Sequence, residues 1–360
     1  MPIGGILDRY LISGFVRVFA ISLLCASALY LIVDFFDRID NFLRAGASLG
    51  TSVRYFLYKL PLLVSRVVGF ATLLSTLFSL GTLSRTQETT AMRSSGLSLR
   101  RLALPLLLLS LLICLFNFFW NEALVPIFSR KSHRIYRTEV KKKPAQSLVG
   151  TNHIWIRGEE TFISVSHVDV RRRLLEGVSI YLLRRDFSLR GLITVPSVHW
   201  NGTRWEAKGG AEWLFLRNGQ MTQHKVPTNL PLLETPEDFK LLAQKPDELS
   251  FFDLQRKIID LKEKGLDATE YEVDLQVKMA VPLISPLMVI LAFPFAIKHG
   301  RHGGLALSFG LTMLIGFGYW FFLAFSISLG HSGVLPSWVA AWLPNLTLAL
   351  VGLFFFTAEE

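Results

Sequence analysis

Apolar residues in this chain gather into six long blocks: Phe15–Phe36, Phe56–Leu80, Leu102–Trp120, Val277–Ile297, Leu305–Leu329 and Trp338–Phe356. Each is long enough to cross a hydrocarbon core as a helix, which takes about 17–25 residues. Between Leu124 and Asp274 no such block occurs. Short alternating runs replace it: His153–Arg157, Thr161–Ser166, Val178–Leu183, Leu192–Val195, Arg204–Ala207 and Trp213–Leu216. Turn residues separate them at Arg157-Gly-Glu, Asn201-Gly-Thr and Asn218-Gly-Gln, which predicts strands joined by tight connections. Strands at this spacing predict an all-β domain of sandwich or jellyroll type. Asp253–Gly265 then has helical periodicity, with Leu254, Ile258, Ile259 and Leu261 apolar and the remaining positions charged. At the start, Ile3, Ile6, Leu7, Tyr10 and Leu11 share one face of Met1–Val16, opposite Asp8 and Arg9, as an interfacial helix would have them. No cleavable signal peptide is visible.

These patterns predict an α-helical membrane bundle of six transmembrane helices with a β domain inserted between the third and fourth. The expected divisions are 1–123 (interfacial helix, three spans and a short loop helix over about 84–95), 124–252 (β domain) and 253–360 (amphipathic connecting helix and three spans).

Composition sharpens this picture. Only 18% of the residues are charged and mean hydropathy is +0.40, both on the lipid side of soluble-protein averages. The segment between Leu124 and Asp274 holds 24 of the 38 Lys and Arg residues and 20 of the 28 Asp and Glu residues. The net charge of +10 therefore divides as +4 there and +6 on the apolar part. In a six-span protein such a surplus belongs to the flanks of the spans, so no nucleic-acid partner is expected. Cys25 and Cys114 both lie inside apolar blocks, as buried free thiols rather than a disulfide or metal pair.

Short loops set the orientation. Gly81–Arg101 carries Arg85, Arg93, Arg100 and Arg101 against one acid, Glu88. Lys298–Gly304 carries Lys298 and Arg301 with His299 and His302, whereas Gly330–Pro336 has no Lys or Arg. Asp37–Tyr55 is mixed. The positive-inside rule places the basic loops and both termini in the cytoplasm and the β domain outside, in a periplasm.

Enzymatic constellations are missing from the sequence: no Walker A, no His-Glu-x-x-His, no Cys-x-x-Cys, no Gly-x-Ser-x-Gly. His299 and His302 lack acidic or cysteine neighbours that would complete a metal site. The basic runs Lys141–Lys143 and Arg171–Arg173 read as solvated loop ends, with an anionic glycolipid contact as the minority reading. In the loop after the second block, Glu88, Met92 and Ser95 fall on one helical face and Gly96 follows as a C′ residue. Such a helix either docks into a groove on another protein or lies on the lipid surface, and composition leaves both open. Charges inside the spans are costly and face a bundle interior or a wet cavity. Lys59 and Arg66, seven apart, share a face. Lys59 either snorkels to the interface or faces inward, and Arg66 either binds an anionic head group or pairs with an acid of the bundle.

Several stretches together resemble the LptF/LptG permease family, the membrane subunits of the ABC exporter that extracts lipopolysaccharide from the inner membrane. They are Gly5-Ile-Leu-Asp-Arg-Tyr10, Glu88-Thr-Thr-Ala-Met-Arg-Ser-Ser-Gly96 and Asn121-Glu-Ala-Leu-Val-Pro126, in that order. Ile154-Trp-Ile-Arg, Thr161-Phe-Ile-Ser-Val, Gly177-Val-Ser-Ile-Tyr181, Gly333-Val-Leu-Pro and Trp342-Leu-Pro-Asn345 look more like the LptG branch than the LptF branch. The resemblance implies a chain with no catalytic centre, working beside an LptB ATPase dimer that binds the ATP and Mg, an LptF paralogue and LptC. It also implies that Glu88, with Arg85, Met92, Arg93 and Gly96 around it, forms the coupling helix seated on LptB. The first and fifth spans would form gates against the paralogue. The β domain would pass lipopolysaccharide onward through a groove in a jellyroll. Candidate contacts for the lipid's phosphates are Arg38, Arg44, Lys59 and Arg66. The LptG type can carry a Lys near the outer end of the first span, where this chain has Asp34. An acid there is expected to repel phosphate, so that contact is not carried over.

Overall fold

The computed structural model describes residues 5–140, 154–157, 161–169, 172–184, 188–215, 221–226, 230, 232, 235–236, 246–263, 267–299 and 304–358. The turns at Arg157-Gly-Glu and Asn218-Gly-Gln, the run Lys141–Lys143, Arg171 and the side chains of His299 and His302 lie outside the described residues. Two long helices open the chain, α1 (Ile6–Ala45) and α2 (Leu49–Arg85). A short α3 (Glu88–Ser94) and a long α4 (Leu99–Ile135) follow. Among the described residues seven strands come next: β1 (Ile154–Arg157), β2 (Thr161–Asp169), β3 (Leu174–Leu183), β4 (Leu189–Trp200), β5 (Trp205–Lys208), β6 (Ala211–Phe215) and β7 (Met221–His224). The chain then returns to helices α5 (Phe251–Glu263), α6 (Thr269–Ala280), α7 (Ile284–His299), α8 (Gly304–His331) and α9 (Ser337–Ala358).

Five helices among the described residues are long and apolar enough to cross a membrane, or six if the bent pair α6–α7 counts as one span. That pair bends by 53°, and Pro282 accounts for the break. Its ring removes a donor and clashes with the preceding turn. Beyond it the Ile284 amide bonds to the Val281 carbonyl at 3.1 Å instead of reaching back to Ala280. The freed Ala280 carbonyl accepts from the Asn345 side-chain amide of α9 at 2.6 Å, and Asn345 in turn accepts from the Tyr319 hydroxyl of α8 at 2.7 Å. Three helices thereby satisfy one broken backbone bond, as lipid surroundings require.

Helix α2 is the hub, in contact with α1, α4, α7 and α8. Its buried face is rich in Ser and Thr, whose hydroxyls return to their own backbone: Thr72 to Val68 at 2.8 Å and Thr76 to Thr72 at 2.8 Å. This lets small polar side chains line a dry interface without orphaned groups. Gly69 and Gly316 are needed there. A Cβ on Gly69 would lie 2.6 Å from the Ile284 side chain, and one on Gly316 would lie 2.6 Å from the Phe70 ring. The main core gathers Leu11 and Phe15 of α1, Leu73 and Leu77 of α2, Leu102 of α4 and Phe293 of α7.

Several expectations change at this level. No break separates an interfacial helix from the first span, since α1 is continuous from Ile6. Asp8, assigned to a polar outer face, is buried and holds Arg101 of α4 in a bidentate pair at 2.7 and 2.8 Å. Cys114 is buried but Cys25 faces outward from the bundle. On α5, Ile259 is exposed, and Lys257 takes a buried position beside Leu254, Ile258 and Leu261.

All described strands belong to one antiparallel sheet, in the order β1-β2-β3-β4-β6-β7 with β5 also on β4. Each of the six alternating runs falls on a strand, and β7 adds a seventh among the described residues. Asn201 builds the β4–β5 turn, its side-chain oxygen accepting from the amides of Thr203 and Arg204. The buried positions change parity on three neighbouring strands: Ile163 and Val165 then Val168, Leu175 then Val178 and Ile180, Ile193 and Val195 then Val198. The changes align at Ser166, Gly177 and Pro196, so the sheet kinks along one line while its apolar side stays continuous. Gly177 has φ +63°, and a Cβ there would meet the Ser166 side chain at 2.7 Å.

The re-entry from sheet to helices is clasped by α4. Ser250 caps α5 through the Asp253 amide at 3.1 Å, and the Glu122 carboxylate accepts from the Phe251 amide. Arg130 donates to the Glu248 carbonyl at 2.7 Å, while Arg137 and His133 reach the Glu248 carboxylate at 3.0 and 2.7 Å. Burial among these elements pushes the Lys257 amine down to about 8, partly opposed by Glu248 and Glu270. Its Nζ lies 3.9 Å over the Tyr271 ring. A lysine depressed in the folded state makes stability rise with pH between about 8 and its unfolded value near 10.4, because the unfolded chain then holds the extra proton. The expected result is a Lys257 titration midpoint near 8, read by NMR of the 13C-methylated lysine. Lys257→Met should raise the melting temperature at pH 7 and flatten its rise between pH 8 and 10.

Candidate functional site

Chain direction defines two ends of the bundle. The α1–α2 turn, the sheet, α5 and the α8–α9 turn lie at one. The start of α1, α3, the start of α4 and the end of α7 lie at the other, where the Ser84 hydroxyl donates to the Ile297 carbonyl at 2.8 Å. Candidate residues occur at both ends.

At the sheet end a polar seam runs between α1 and α2. Tyr30 and Asp34, one turn apart on α1, face Arg66 and Lys59 on α2. Lys59 Nζ lies 2.6 Å from both Asp34 oxygens, and Arg38 Nε adds a contact at 3.0 Å. Lys59 is 8% exposed, so it faces inward and does not snorkel. The Asp34 charge is thus neutralised within the seam: Asp34, Lys59 and Arg38 together carry +1. Below the seam, Phe42, Tyr55, Phe56 and Tyr136 form an aromatic cluster, with the Arg38 guanidinium 5.7 Å over the Tyr136 ring. Arg66 is exposed and bonds to the Tyr30 hydroxyl at 3.3 Å. It lines a cleft of about 500 Å³ together with Ser65, Asn121, Asp247, Glu270, Asp274 and Lys278. Arg44 is exposed in the last turn of α1. Two of the four phosphate candidates, Lys59 and Arg38, are therefore bound to Asp34, whereas Arg66 and Arg44 present toward open space.

The cleft also contains residues that sequence reading passed over. Asp274 meets His331 at 3.2 Å, and Lys278 donates to the Leu249 carbonyl at 2.8 Å. Glu270, Asp274 and Lys278 recur every fourth residue on α6, a pattern visible in the sequence but overlooked there because an apolar block follows directly.

At the opposite end, α3 sits between α2 and α4. Gln87, at φ +63°, turns the chain out of α2. Gly96, at φ +90°, closes α3 with its amide on the Arg93 carbonyl at 2.9 Å, and the Leu97 amide bonds to the Met92 carbonyl at 3.2 Å. This paired pattern is the one that glycine at C′ permits. Met92 and Thr89 turn toward the bundle, while Arg85, Ala91 and Arg93 are exposed. Glu88 is half-buried. One of its oxygens accepts from the Thr86 hydroxyl at 2.8 Å, and the other from the Tyr10 hydroxyl at 2.9 Å. Among the described residues no group of three or more His, Cys, Asp or Glu side chains could hold a metal ion.

A frame of apolar helices interrupted by one antiparallel sheet, with a short polar helix exposed at the far end, defines a multi-span membrane protein. The family model for the lipopolysaccharide export system permease LptF/LptG matches residues 9–358, and the chain belongs to that family. It is an inner-membrane protein of the lipopolysaccharide export system. It is similar to the lipopolysaccharide export system permease protein LptG of Escherichia coli K12, with 26% identity covering 97% of each chain. The protein of the same name from Haemophilus influenzae is 21% identical, over 94% of this chain and 95% of that one.

Proposed function

We propose that this chain is the LptG-type permease subunit that lifts lipopolysaccharide out of the inner membrane, with ATP and Mg bound by a separate LptB dimer. The observation that carries this reading is α3, set between α2 and α4 at the end opposite the sheet, in a chain whose family match takes in helices and sheet alike. The similar proteins are both of the LptG type, which favours that branch over LptF. In this reading α6–α7 is one broken span, giving six. Both termini are cytoplasmic, and 124–252 is a periplasmic jellyroll set between 1–123 and 253–360. An LptF paralogue completes the cavity, and LptC receives the lipid from the jellyroll.

In this reading each candidate residue takes a role. Glu88 presents a carboxylate to a basic groove on LptB, flanked by Arg85 and Arg93, while Met92 anchors α3 to the bundle and Gly96 ends it. Arg66 and Arg44 offer guanidinium groups to lipid phosphates, which they can bind in bidentate fashion. Arg38 and Lys59 contribute the residual positive charge of the Asp34 cluster. The membrane lipid solvates the apolar faces, and the chain itself breaks no bond.

The test is co-purification and transport by the assembled complex. Glu88→Ala is expected to lower the LptB retained, or the lipopolysaccharide extracted in an ATP-dependent photo-crosslinking assay, by tenfold or more. Wild-type assembly and extraction in that variant would favour a membrane scaffold whose β domain only binds envelope partners.

A further inference from the structure

We propose that Tyr10 is a positioning residue for Glu88, and that their hydrogen bond links the ATPase-docking helix directly to the first span. This rests on the docking reading of α3 given above.

The donors on Glu88 are both neutral hydroxyls, from Tyr10 at 2.9 Å and Thr86 at 2.8 Å. They fix the carboxylate without cancelling its charge. Each carboxylate oxygen accepts two hydrogen bonds, so one site per oxygen stays open for a guanidinium of a partner. Holding the side chain in place beforehand removes rotamer entropy that docking would otherwise cost.

Tyr10 belongs to α1, whose first turns are tied to the same end of the bundle twice more. Asp8 holds Arg101 of α4 through two short charged bonds. Leu11 and Phe15 are buried in the core against which Met92 of α3 packs. The beginning of α1 is therefore bonded to α3 by Tyr10, to α4 by Asp8 and to both through the apolar core. From Tyr10 the helix runs unbroken, with no proline inside it, to Asp34 and the seam with Lys59. Those 24 residues span about 36 Å at 1.5 Å each. A shift of α3 under the ATPase thus reaches the opposite end of α1 along one rigid rod, with Tyr10–Glu88 as its first joint.

The experiment uses the complete complex, reconstituted with its ATPase, and reads lipopolysaccharide extracted per ATP hydrolysed beside the amount of ATPase retained. Tyr10→Phe keeps the ring and removes only the hydroxyl. It is expected to retain the ATPase within twofold of wild type while the ratio falls threefold or more. Because Tyr10 acts through Glu88, adding Tyr10→Phe to Glu88→Ala should lower the ratio no further, whereas a role of the hydroxyl independent of Glu88 would give additive losses and a purely structural role of the ring would leave Tyr10→Phe like wild type. A wild-type ratio in Tyr10→Phe alongside an impaired Glu88→Ala overturns the link and leaves the docking reading standing. An unimpaired Glu88→Ala overturns the docking reading itself.

Discussion

Asp34→Leu is expected to destabilise the protein by about 3–5 kcal/mol, the scale for breaking a buried ion pair on one side. The leucine would leave the Lys59 ammonium buried, with Arg38 and Arg66 as its charged neighbours and no carboxylate. Both side chains of the pair are only about one-tenth exposed, so solvent cannot take over the missing partner. Lys59→Met should cost less, because Asp34 keeps its contact with Arg38 at 3.0 Å. The double variant Asp34→Leu/Lys59→Met should recover most of the loss, since replacing a buried pair by apolar side chains is close to neutral. Thermal unfolding of the purified protein, followed by size-exclusion chromatography, measures all three. A double variant as unstable as Asp34→Leu alone would refute the pairing as the source of the effect.

Asn345→Leu should have the next largest effect. Asn345 is 3% exposed and serves two partners at once, accepting from Tyr319 and donating to the Ala280 carbonyl freed by the break at Pro282. Leucine fits the volume but leaves one buried hydroxyl and one buried carbonyl without a bond, at about 1–3 kcal/mol each. The combined loss is expected to fall between about 2 and 6 kcal/mol, with early protection lost around residues 276–284 in hydrogen exchange. Tyr319→Phe should cost less than Asn345→Leu, because Asn345 can still hold Ala280. Equal losses in the two variants would place the energy elsewhere than in the broken span.

Much of this was legible in the chain itself. Blocks of 19 or more apolar residues mark helices because a helix satisfies all of its backbone polar groups within its own segment in lipid; five of the six blocks lie within single helices here, and Val277–Ile297 spans the bent pair α6–α7. Alternation with period two marked six of the seven strands for an equally local reason. Glycine after a short polar helix marked the end of α3. Partners were not legible. Asp34 looked like a misfit in sequence because its cation lies 25 residues away on another helix, and Asp8 looked solvated because Arg101 is 93 residues distant. Lys257 was assigned outward on charge alone, although α5 turns it beneath a neighbouring ring.

The extended apolar blocks and the alternating segment between them determined that this is a membrane bundle with a β insertion, because burial of backbone and side chains is settled by composition over a single element. Which end of the first span carries a neutralised charge, how a proline break is bonded shut, and what holds Glu88 were decided only by tertiary structure. Those features are pairings between helices, and a pairing depends on distance in space, which the order of residues along the chain does not contain.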